Sequence, residues 1–157
     1  INDIWGLKYD EKMGPVIAKY GVPCCLMHNR ENSDYRMLIP DICADLEESL
    51  AIAEDAGIDP DQIILDPGIG FGKTYEQNLA VIHHLEELSR FDLPILLGTS
   101  RKSVIGLTLD LPAEERMEGT LVTTVLAVEK GCSFVRVHDV KENVRAIRMV
   151  RAILEAE

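Results

Sequence analysis

The stretch LDPGIGFGKT, from Leu65 to Thr74, indicates the fold of this chain. It directly follows the apolar run Gln62–Ile64 and contains three alternating glycines. The spacing excludes the common phosphate-binding loops. A P-loop needs a glycine where Pro67 stands, and a dinucleotide loop needs G-x-G-x-x-G, whereas the glycines here alternate as G-x-G-x-G. The carboxylate of Asp66 would also repel a bound phosphate. Two interpretations remain: a tight strand-to-helix turn whose glycines adopt positive φ angles, or a binding site that begins at Asp66.

The same unit recurs along the chain, as an amphipathic stretch that ends in glycine and is followed by an apolar run. Gly21, Gly57 and Gly131 end such stretches, where glycine supplies the left-handed residue just past a helix. The runs that follow are almost continuously apolar, which is typical of parallel strands buried on both faces. Strands are expected within 1–4, 22–27, 62–65, 93–97 and 132–137. The alternation predicts an α/β fold with parallel strands, and it fits an incomplete (β/α)₈ barrel and an open doubly wound sheet equally well.

Capping patterns predict where several helices begin. Thr74 precedes Gln77 by three residues, and Asp139 precedes Glu142 in the same way, as in a capping box. Asp41, after a proline, is expected to cap a helix from Ile42 to Ala56. These helices would lie between the predicted strands.

The composition indicates a globular protein with small-molecule partners. The 157 residues are 46% hydrophobic and 27% charged, which suits a single domain with a substantial core. A net charge of −11 disfavours nucleic acid or an anionic membrane surface as a partner. No apolar run approaches the ~20 residues of a membrane span. The adjacent Cys24 and Cys25 lie in an apolar run without metal-ligand spacing, so we expect buried free thiols and a cytoplasmic location.

Polar residues end each of the five predicted strands, which a purely structural strand does not require. The clusters are Asn2-Asp3, Met27-His28-Asn29, Asp66, Thr99–Ser103 and Arg136-x-His138-Asp139. Folds of the α/β class build their sites at the carboxyl ends of parallel strands. These clusters therefore predict an active site at one edge of the sheet.

The segments INDIWG, CLMHN, LDPGIGFGKT, LLGTSRKSVIG and RVHDV, in this order and spacing, resemble dihydropteroate synthase. The resemblance covers essentially the whole chain and implies a (β/α)₈ TIM barrel, of which residues 1–157 would supply about strands 4 to 8 with their helices. It implies one pterin-binding domain that is incomplete at its N-terminus. The implied reaction in folate biosynthesis joins 6-hydroxymethyl-7,8-dihydropterin diphosphate to p-aminobenzoate, which gives 7,8-dihydropteroate and diphosphate.

The resemblance implies that Asp66 binds the pterin. Its carboxylate can accept hydrogen bonds from the two adjacent N–H donors of the 2-amino-4-oxopyrimidine edge. Gly68, Gly70 and Gly72 would let the backbone approach the flat ring. Phe71 would line the ring or the neighbouring aminobenzoate. The other implied substrate-binding residues around the ring are Asn2, Met27, Gly70, Gly98 and Lys102.

The second substrate and the leaving group have their own implied residues. Ser103, at the start of a predicted short helix, is assigned the aminobenzoate carboxylate, and Arg136 and His138 are assigned the diphosphate. Lys102, Arg136 and His138 are the implied catalytic residues. In the family the diphosphate leaves early and the aniline nitrogen captures a cationic pterin methylene, so catalysis depends on leaving-group stabilisation and positioning.

The resemblance also implies a Mg²⁺ cofactor and a homodimer, and it places the chain in a family that sulfonamides target. The family's magnesium asparagine lies on the first barrel strand, outside this sequence, so no metal ligand is assigned here. Five strands do not close an eight-stranded barrel, and we therefore expect the isolated 157 residues to be inactive.

Two other functions fit part of the pattern. A methyltetrahydrofolate–corrinoid methyltransferase shares the barrel and the pterin-binding carboxylate and asparagine, but it binds no diphosphate, so Arg136 and His138 favour the synthase. A non-catalytic pterin-binding fragment is the other alternative. Several residues keep structural interpretations: His28 and Asn29 as cavity rim or strand end, Asp3 as a brace for Asn2, Arg101 as an ion-pair partner, Asp139 as a helix cap, and His83-His84 as a solvated face.

Overall fold

A computed structural model describes residues 1–156 as parallel strands covered by helices. Strands β1 (Asn2–Asp3), β2 (Cys24–Met27) and β3 (Ile63–Asp66) form one sheet in that order, and β4 (Leu96–Leu97) pairs with β5 (Phe134–Val135). Every pair is parallel. A parallel bridge between Leu65 and Ile95 connects the two sheets. The strands therefore follow one another in chain order, and their carboxyl ends lie along one edge.

Helices connect the strands, so the α/β architecture with parallel strands is confirmed. The α-helices are α1 (Met13–Tyr20), α2 (Leu38–Asp55), α3 (Tyr75–His83), α4 (Ser103–Leu109), α5 (Met117–Glu129) and α6 (Val140–Leu154). Short 3₁₀ turns occur at Pro60–Gln62, Leu85–Phe91 and Ala113–Glu115. The outer strands are shorter than the apolar runs predicted. Within residues 1–156, no helix combines the length and apolar character that a membrane crossing requires.

The predicted helix starts have different outcomes. The capping box at Thr74 is confirmed, because Gln77 N donates to Thr74 Oγ1 at 3.3 Å and Thr74 N donates to Gln77 Oε1 at 2.8 Å. The cap at Asp41 is wrong: α2 begins earlier, and Asp41 accepts a hydrogen bond from Arg36 N. Asp139 occupies the N-cap position of α6, but its side chain makes no capping hydrogen bond.

The core lies between the central strands and the helices that cover them. Leu26 of β2, Leu65 of β3 and Leu46 of α2 are completely buried. Burial of an aliphatic side chain of this size contributes about 1.5–3 kcal/mol, so these contacts fix how α2 packs on the sheet. Cys24 and Cys25 are buried free thiols, as predicted.

The array of strands is strongly curved. Arg136 Nη2, just past β5, donates a hydrogen bond to Asn2 Oδ1 at the start of β1, at 2.7 Å. These are the two outermost strands in the order, and yet their polar ends touch. The curvature gathers the carboxyl ends of all five strands around a common space.

Candidate functional site

The carboxyl ends of the strands surround a cavity of about 330 Å³. The predicted site residues that line it are Asn2, Met27, Asp66, Phe71, Gly98, Lys102, Arg136 and His138. Gly70 lies behind this lining, where a Cβ would stand 3.3 Å from Lys102 Cδ. Ser103 is the exposed first residue of α4 and is also outside the lining. Ile4, Ser100 and Val137 complete the wall, and we did not predict them as binding residues.

Asp66 ends β3 at the floor of the cavity and is 2% exposed. Its Oδ1 accepts a hydrogen bond from Gly68 N at 2.8 Å, and its Oδ2 lies 3.8 Å from Arg136 Nη1. Burial raises the pKa of this carboxyl, and the Gly68 amide, Lys102 and Arg136 lower it in part. Because a carboxylate accepts about four hydrogen bonds, Asp66 keeps capacity for donors from a ligand.

Cationic groups face Asp66 across the cavity. Lys102 Nζ donates to the backbone carbonyl of Ile69 and lies 4.9 Å from the centre of the Phe71 ring. Burial lowers the pKa of Lys102, and the neighbouring Asp66 raises it in part. Arg136 is half-exposed at the mouth. The floor of the cavity is therefore anionic and its wall cationic, which suits a ligand with donors at one end and negative charge at the other.

His138 is oriented by Ser100. The backbone N of His138 donates to Ser100 Oγ at 3.1 Å, and the same Oγ lies 2.9 Å from His138 Nδ1. The Ser100 hydroxyl has a donor and two acceptor sites, so it can pair with either tautomer, and these contacts fix the orientation of the ring. His138 therefore presents Nε2 away from Ser100. Ser100 belongs to the polar Thr99–Ser103 cluster, which was the only sequence feature that could have marked it as a site residue.

Arg101 ties the two loops that carry the cationic wall. Its guanidinium binds both carboxylate oxygens of Asp139 at 2.6 and 3.1 Å. Arg101 has a positive φ of 57°, and Arg116 Nη1 donates to its carbonyl oxygen at 3.0 Å. The ion-pair interpretation of Arg101 is therefore confirmed, and Asp139 is its partner rather than the cap of α6.

The profile of the family described as pterin binding enzyme matches residues 1–138. The chain belongs to this family. It is 61% identical over 155 residues to the dihydropteroate synthase of Clostridium beijerinckii, which covers 98% of this chain and 58% of that protein. It is 56% identical over 154 residues to the dihydropteroate synthase of Bacillus subtilis, with 98% and 54% covered.

A solved structure of dihydropteroate synthase from Clostridium difficile, obtained in the presence of pteroic acid, superposes with a TM-score of 0.96 at 46% identity. The match covers 99% of this chain and 59% of that one. The chain thus spans about half the length of the curated relatives it matches.

The glycines of the family motif pack against a neighbouring loop. Gly68 and Gly72 have positive φ angles of 71° and 53°. A Cβ at Gly68 would lie 1.9 Å from the carbonyl oxygen of His28, and one at Gly72 would lie 2.5 Å from that of Arg30. Close backbone contact with the loop after β2 therefore explains these two glycines. Gly70 is the one of the three that faces a cavity side chain, Lys102.

A buried polar network lies beneath this glycine turn, on the side away from the cavity. His28 is buried, with Nε2 2.8 Å from Asp45 Oδ2 and Nδ1 2.8 Å from Lys73 Nζ. Burial, followed by the charge of Lys73, lowers the pKa of His28 to about 4, and burial lowers the pKa of Lys73 to about 7. His28 is thus neither cavity rim nor a simple strand end. No local pattern of residues links His28, Asp45 and Lys73 in the sequence.

The remaining candidates lie outside the cavity. Asp3 accepts from the backbone N of Trp5 and of Leu7, at 2.9 and 3.0 Å, so it braces the turn after β1 rather than Asn2. Asn29 lines a separate cavity. His83 and His84 are exposed and contact each other, consistent with a solvated face. In the described part of the chain, no three His, Cys, Asp or Glu side chains are grouped as a metal site.

Proposed function

We propose that this chain is the part of a dihydropteroate synthase that holds the pterin and both reacting groups. The reaction breaks the bond between the pterin methylene carbon and a diphosphate oxygen, and it forms a bond from that carbon to the aniline nitrogen of p-aminobenzoate. The aniline proton is released, and the electron pair of the broken bond leaves with diphosphate. The observation that carries the proposal is the buried Asp66 carboxylate, which retains acceptor capacity beneath a cationic wall.

The pterin is proposed to lie on the floor of the cavity. The Asp66 carboxylate accepts from the two adjacent N–H groups of the pyrimidine edge, while Asn2 supplies hydrogen bonds to the other ring nitrogens. Met27, Gly98 and Phe71 provide apolar contact to the ring. Lys102 donates on the carbonyl and N5 side, and Gly70 lets its stem pass close to the turn. In this arrangement the pterin methylene points at the cationic wall.

The leaving group is proposed to lie against Arg136 and His138. Arg136 offers a charged fork of donors, and Ser100 orients the imidazole of His138. Such donors stabilise negative charge as it develops on the departing diphosphate. Ser103 is proposed to bind the aminobenzoate carboxylate at the edge of the site. A corrinoid methyltransferase would have no use for this pair of side chains, because it binds no diphosphate.

We further propose that the five strands are about strands 4 to 8 of a (β/α)₈ barrel, within one pterin-binding domain. The contact between Asn2 and Arg136 supports this proposal, because it requires the curvature of a barrel wall. The length of the relatives supports it as well. The family's homodimer and cytoplasmic location are proposed for the complete protein on the same grounds.

Magnesium does not fit the residues described here. The cavity wall is cationic, and residues 1–156 contain no cluster of three or more His, Cys, Asp or Glu that could hold an ion. No step is therefore assigned to a metal on these residues.

The test is a diphosphate-release assay on the full-length protein with both substrates and magnesium. We expect turnover that depends on p-aminobenzoate and that is lost in Asp66→Asn. Residues 1–157 alone are expected to show no turnover, because closure of a barrel fixes strand number, tilt and stagger together. Diphosphate release by Asp66→Asn at the wild-type rate would contradict the proposal, as would a full-length protein without turnover.

A further inference from the structure

One partly buried ammonium group, that of Lys73, holds the glycine turn from below. Lys73 Nζ donates to the carbonyl oxygens of Gly68 and Phe71, each at 3.1 Å, and lies 2.8 Å from His28 Nδ1. Lys73 is not among the residues that line the cavity. The ammonium therefore joins the two sides of the turn without touching a ligand.

The direction of the hydrogen bonds in this network is fixed from α2. Asp45 accepts from Arg30 Nε at 2.6 Å and from Arg30 Nη2 at 3.1 Å, which holds the carboxylate in place. His28 Nε2 lies 2.8 Å from the same carboxylate and must donate to it, because a carboxylate only accepts. Burial lowers the pKa of His28, so the ring is neutral and its Nδ1 is an acceptor aimed at Lys73. The three donors of the ammonium thus match three acceptors.

The turn that Lys73 holds carries much of the cavity floor and wall. Its Gly68 amide donates to Asp66 Oδ1, its Ile69 carbonyl accepts from Lys102, and its Phe71 ring lines the cavity. A shift of the turn would move all of these groups together. An error of about 1 Å in placement is enough to cost a substantial part of a site's efficiency.

We propose that Lys73 is a positioning residue for the pterin: its ammonium, aligned by His28 and Asp45, holds the glycine turn so that Asp66, Lys102 and Phe71 keep their places at the cavity. The inference rests on the proposed function, since it concerns how the same cavity recognises its pterin. Lys73 acts through the backbone of the turn and makes no contact with the substrate.

This arrangement depends on pH. A neutral amine has two protons and a lone pair, so one of the three acceptors loses its donor when Lys73 is deprotonated. Burial lowers the pKa of Lys73 to about 7. The charged groups that face it are Asp66 and Asp45, which raise this pKa, and Lys102 and Arg30, which lower it. The turn is therefore held by three hydrogen bonds below about pH 7 and by fewer above it.

The test measures pterin diphosphate affinity by calorimetry on the full-length protein between pH 6 and 8.5. We expect Lys73→Met to weaken binding about tenfold or more at pH 6, because a charge-assisted hydrogen-bond set is lost. The KM for p-aminobenzoate should change much less. Wild-type affinity should fall as the pH rises through about 7, and Lys73→Met should lack this fall. Lys141→Met, at an exposed lysine of α6, is the matched control and should behave as wild type.

A second variant keeps the test decisive if Lys73→Met does not fold. Asp45→Asn retains the size of a half-buried side chain and removes the charge that raises the Lys73 pKa. The midpoint of the pH dependence should therefore move to lower pH, which a merely structural role for Asp45 would not cause. Unchanged affinity and pH profile in Lys73→Met, or an unmoved midpoint in Asp45→Asn, would overturn the inference alone. A wild-type protein that binds no pterin would overturn the proposed function with it.

Discussion

The two faces of the glycine turn, Pro67–Gly72, differ in how completely their polar groups are paired. The upper face borders the cavity, where Arg136 is 49% exposed and Asp66 retains acceptor capacity. On the lower face the His28 side chain is fully buried, and both of its ring nitrogens have partners. Across residues 1–156, no buried side-chain nitrogen or oxygen lacks a hydrogen-bond partner. On the cavity face, Asp66 keeps acceptor capacity that a ligand can use.

The two lysines of the region show what this difference means. Lys73 serves three acceptors below the turn, and Lys102 reaches one backbone carbonyl and the cavity above it. Burial lowers the pKa of both. A rigid lower face lets the upper face hold incompletely paired charges in place, because the turn cannot relax towards them. Changes below the turn should therefore affect stability first, and changes above it should affect binding first.

The largest effect is expected for Gly68→Ala, which attacks the lower face. The added Cβ would meet the His28 carbonyl oxygen at 1.9 Å, at a positive φ that alanine disfavours. Overpacking and left-handed strain together should cost on the order of 3 kcal/mol or more. Urea denaturation measures the loss.

Gly131→Ala is the matched control for that experiment. Gly131 also has a positive φ, of 79°, but no atom lies within 4 Å of the added Cβ. It should lose only the conformational part, about 1 kcal/mol. Equal losses for the two variants would mean that the contact with the loop after β2 does not constrain the turn.

Asp66→Asn should separate binding from stability on the upper face. An amide presents a donor to one of the pterin donors, so affinity should fall about 100-fold, or about 3 kcal/mol. Burial raises the pKa of Asp66 in the fold, so the folded state binds more protons than the unfolded state just above the ordinary carboxyl pKa. Wild-type stability should therefore fall as the pH rises through that window. The amide removes this fall.

Calorimetry and urea denaturation between pH 4 and 7 test the Asp66 prediction together. Asp66→Asn should bind pterin poorly and yet be at least as stable as wild type at pH 7. Asp55→Asn, at an exposed position near the end of α2, should change neither property. A destabilised Asp66→Asn at pH 7 would show that the carboxylate serves the fold rather than a ligand.

Much of the upper face was predictable from the sequence, and the lower face was not. Continuous apolar runs identified β2 and β3, and the shared edge of parallel carboxyl ends brought Asn2, Asp66 and Arg136 to one cavity. Lys73 and His28 are 45 residues apart, and their contact depends on how one loop packs on another. Local sequence patterns carry no information about such packing.

The caps of helices α2 and α6 were the other part of the fold that the sequence did not predict correctly. The capping rule placed Asp41 as the cap of a helix that begins at Ile42. The observed helix also includes Leu38 and Ile39, which pack against the core. Asp139 stands at the N-cap position of α6, but its carboxylate pairs with Arg101 and makes no capping hydrogen bond. In both cases tertiary contacts overrode a local preference.

Asn78→Ala tests the lower face with a smaller change. Asn78 is buried, accepts from Gly70 N at 2.7 Å and donates to Thr74 O at 2.7 Å. Its loss leaves the Gly70 amide without a partner, which should cost about 2 kcal/mol of unfolding free energy. Pterin affinity should fall less than in Asp66→Asn. Unchanged stability with lost pterin binding would mean that Asn78 serves the cavity face of the turn and does not support the lower face.

The smallest effect is expected for Ser103→Ala, at the outer edge of the upper face. Ser103 is exposed at the start of α4 and lies beyond Lys102, so a substrate that reaches it must already extend out of the cavity. One exposed hydrogen bond to a carboxylate contributes about 1 kcal/mol, so the KM for p-aminobenzoate should rise about fivefold. The KM for the pterin should stay close to wild type, because Ser103 does not line the cavity. Ser133→Ala, exposed before β5 at the opposite end of the strands, is the control and should change neither constant. If Ser103→Ala weakened both substrates equally, Ser103 would act on the turn or on Lys102 rather than on the aminobenzoate.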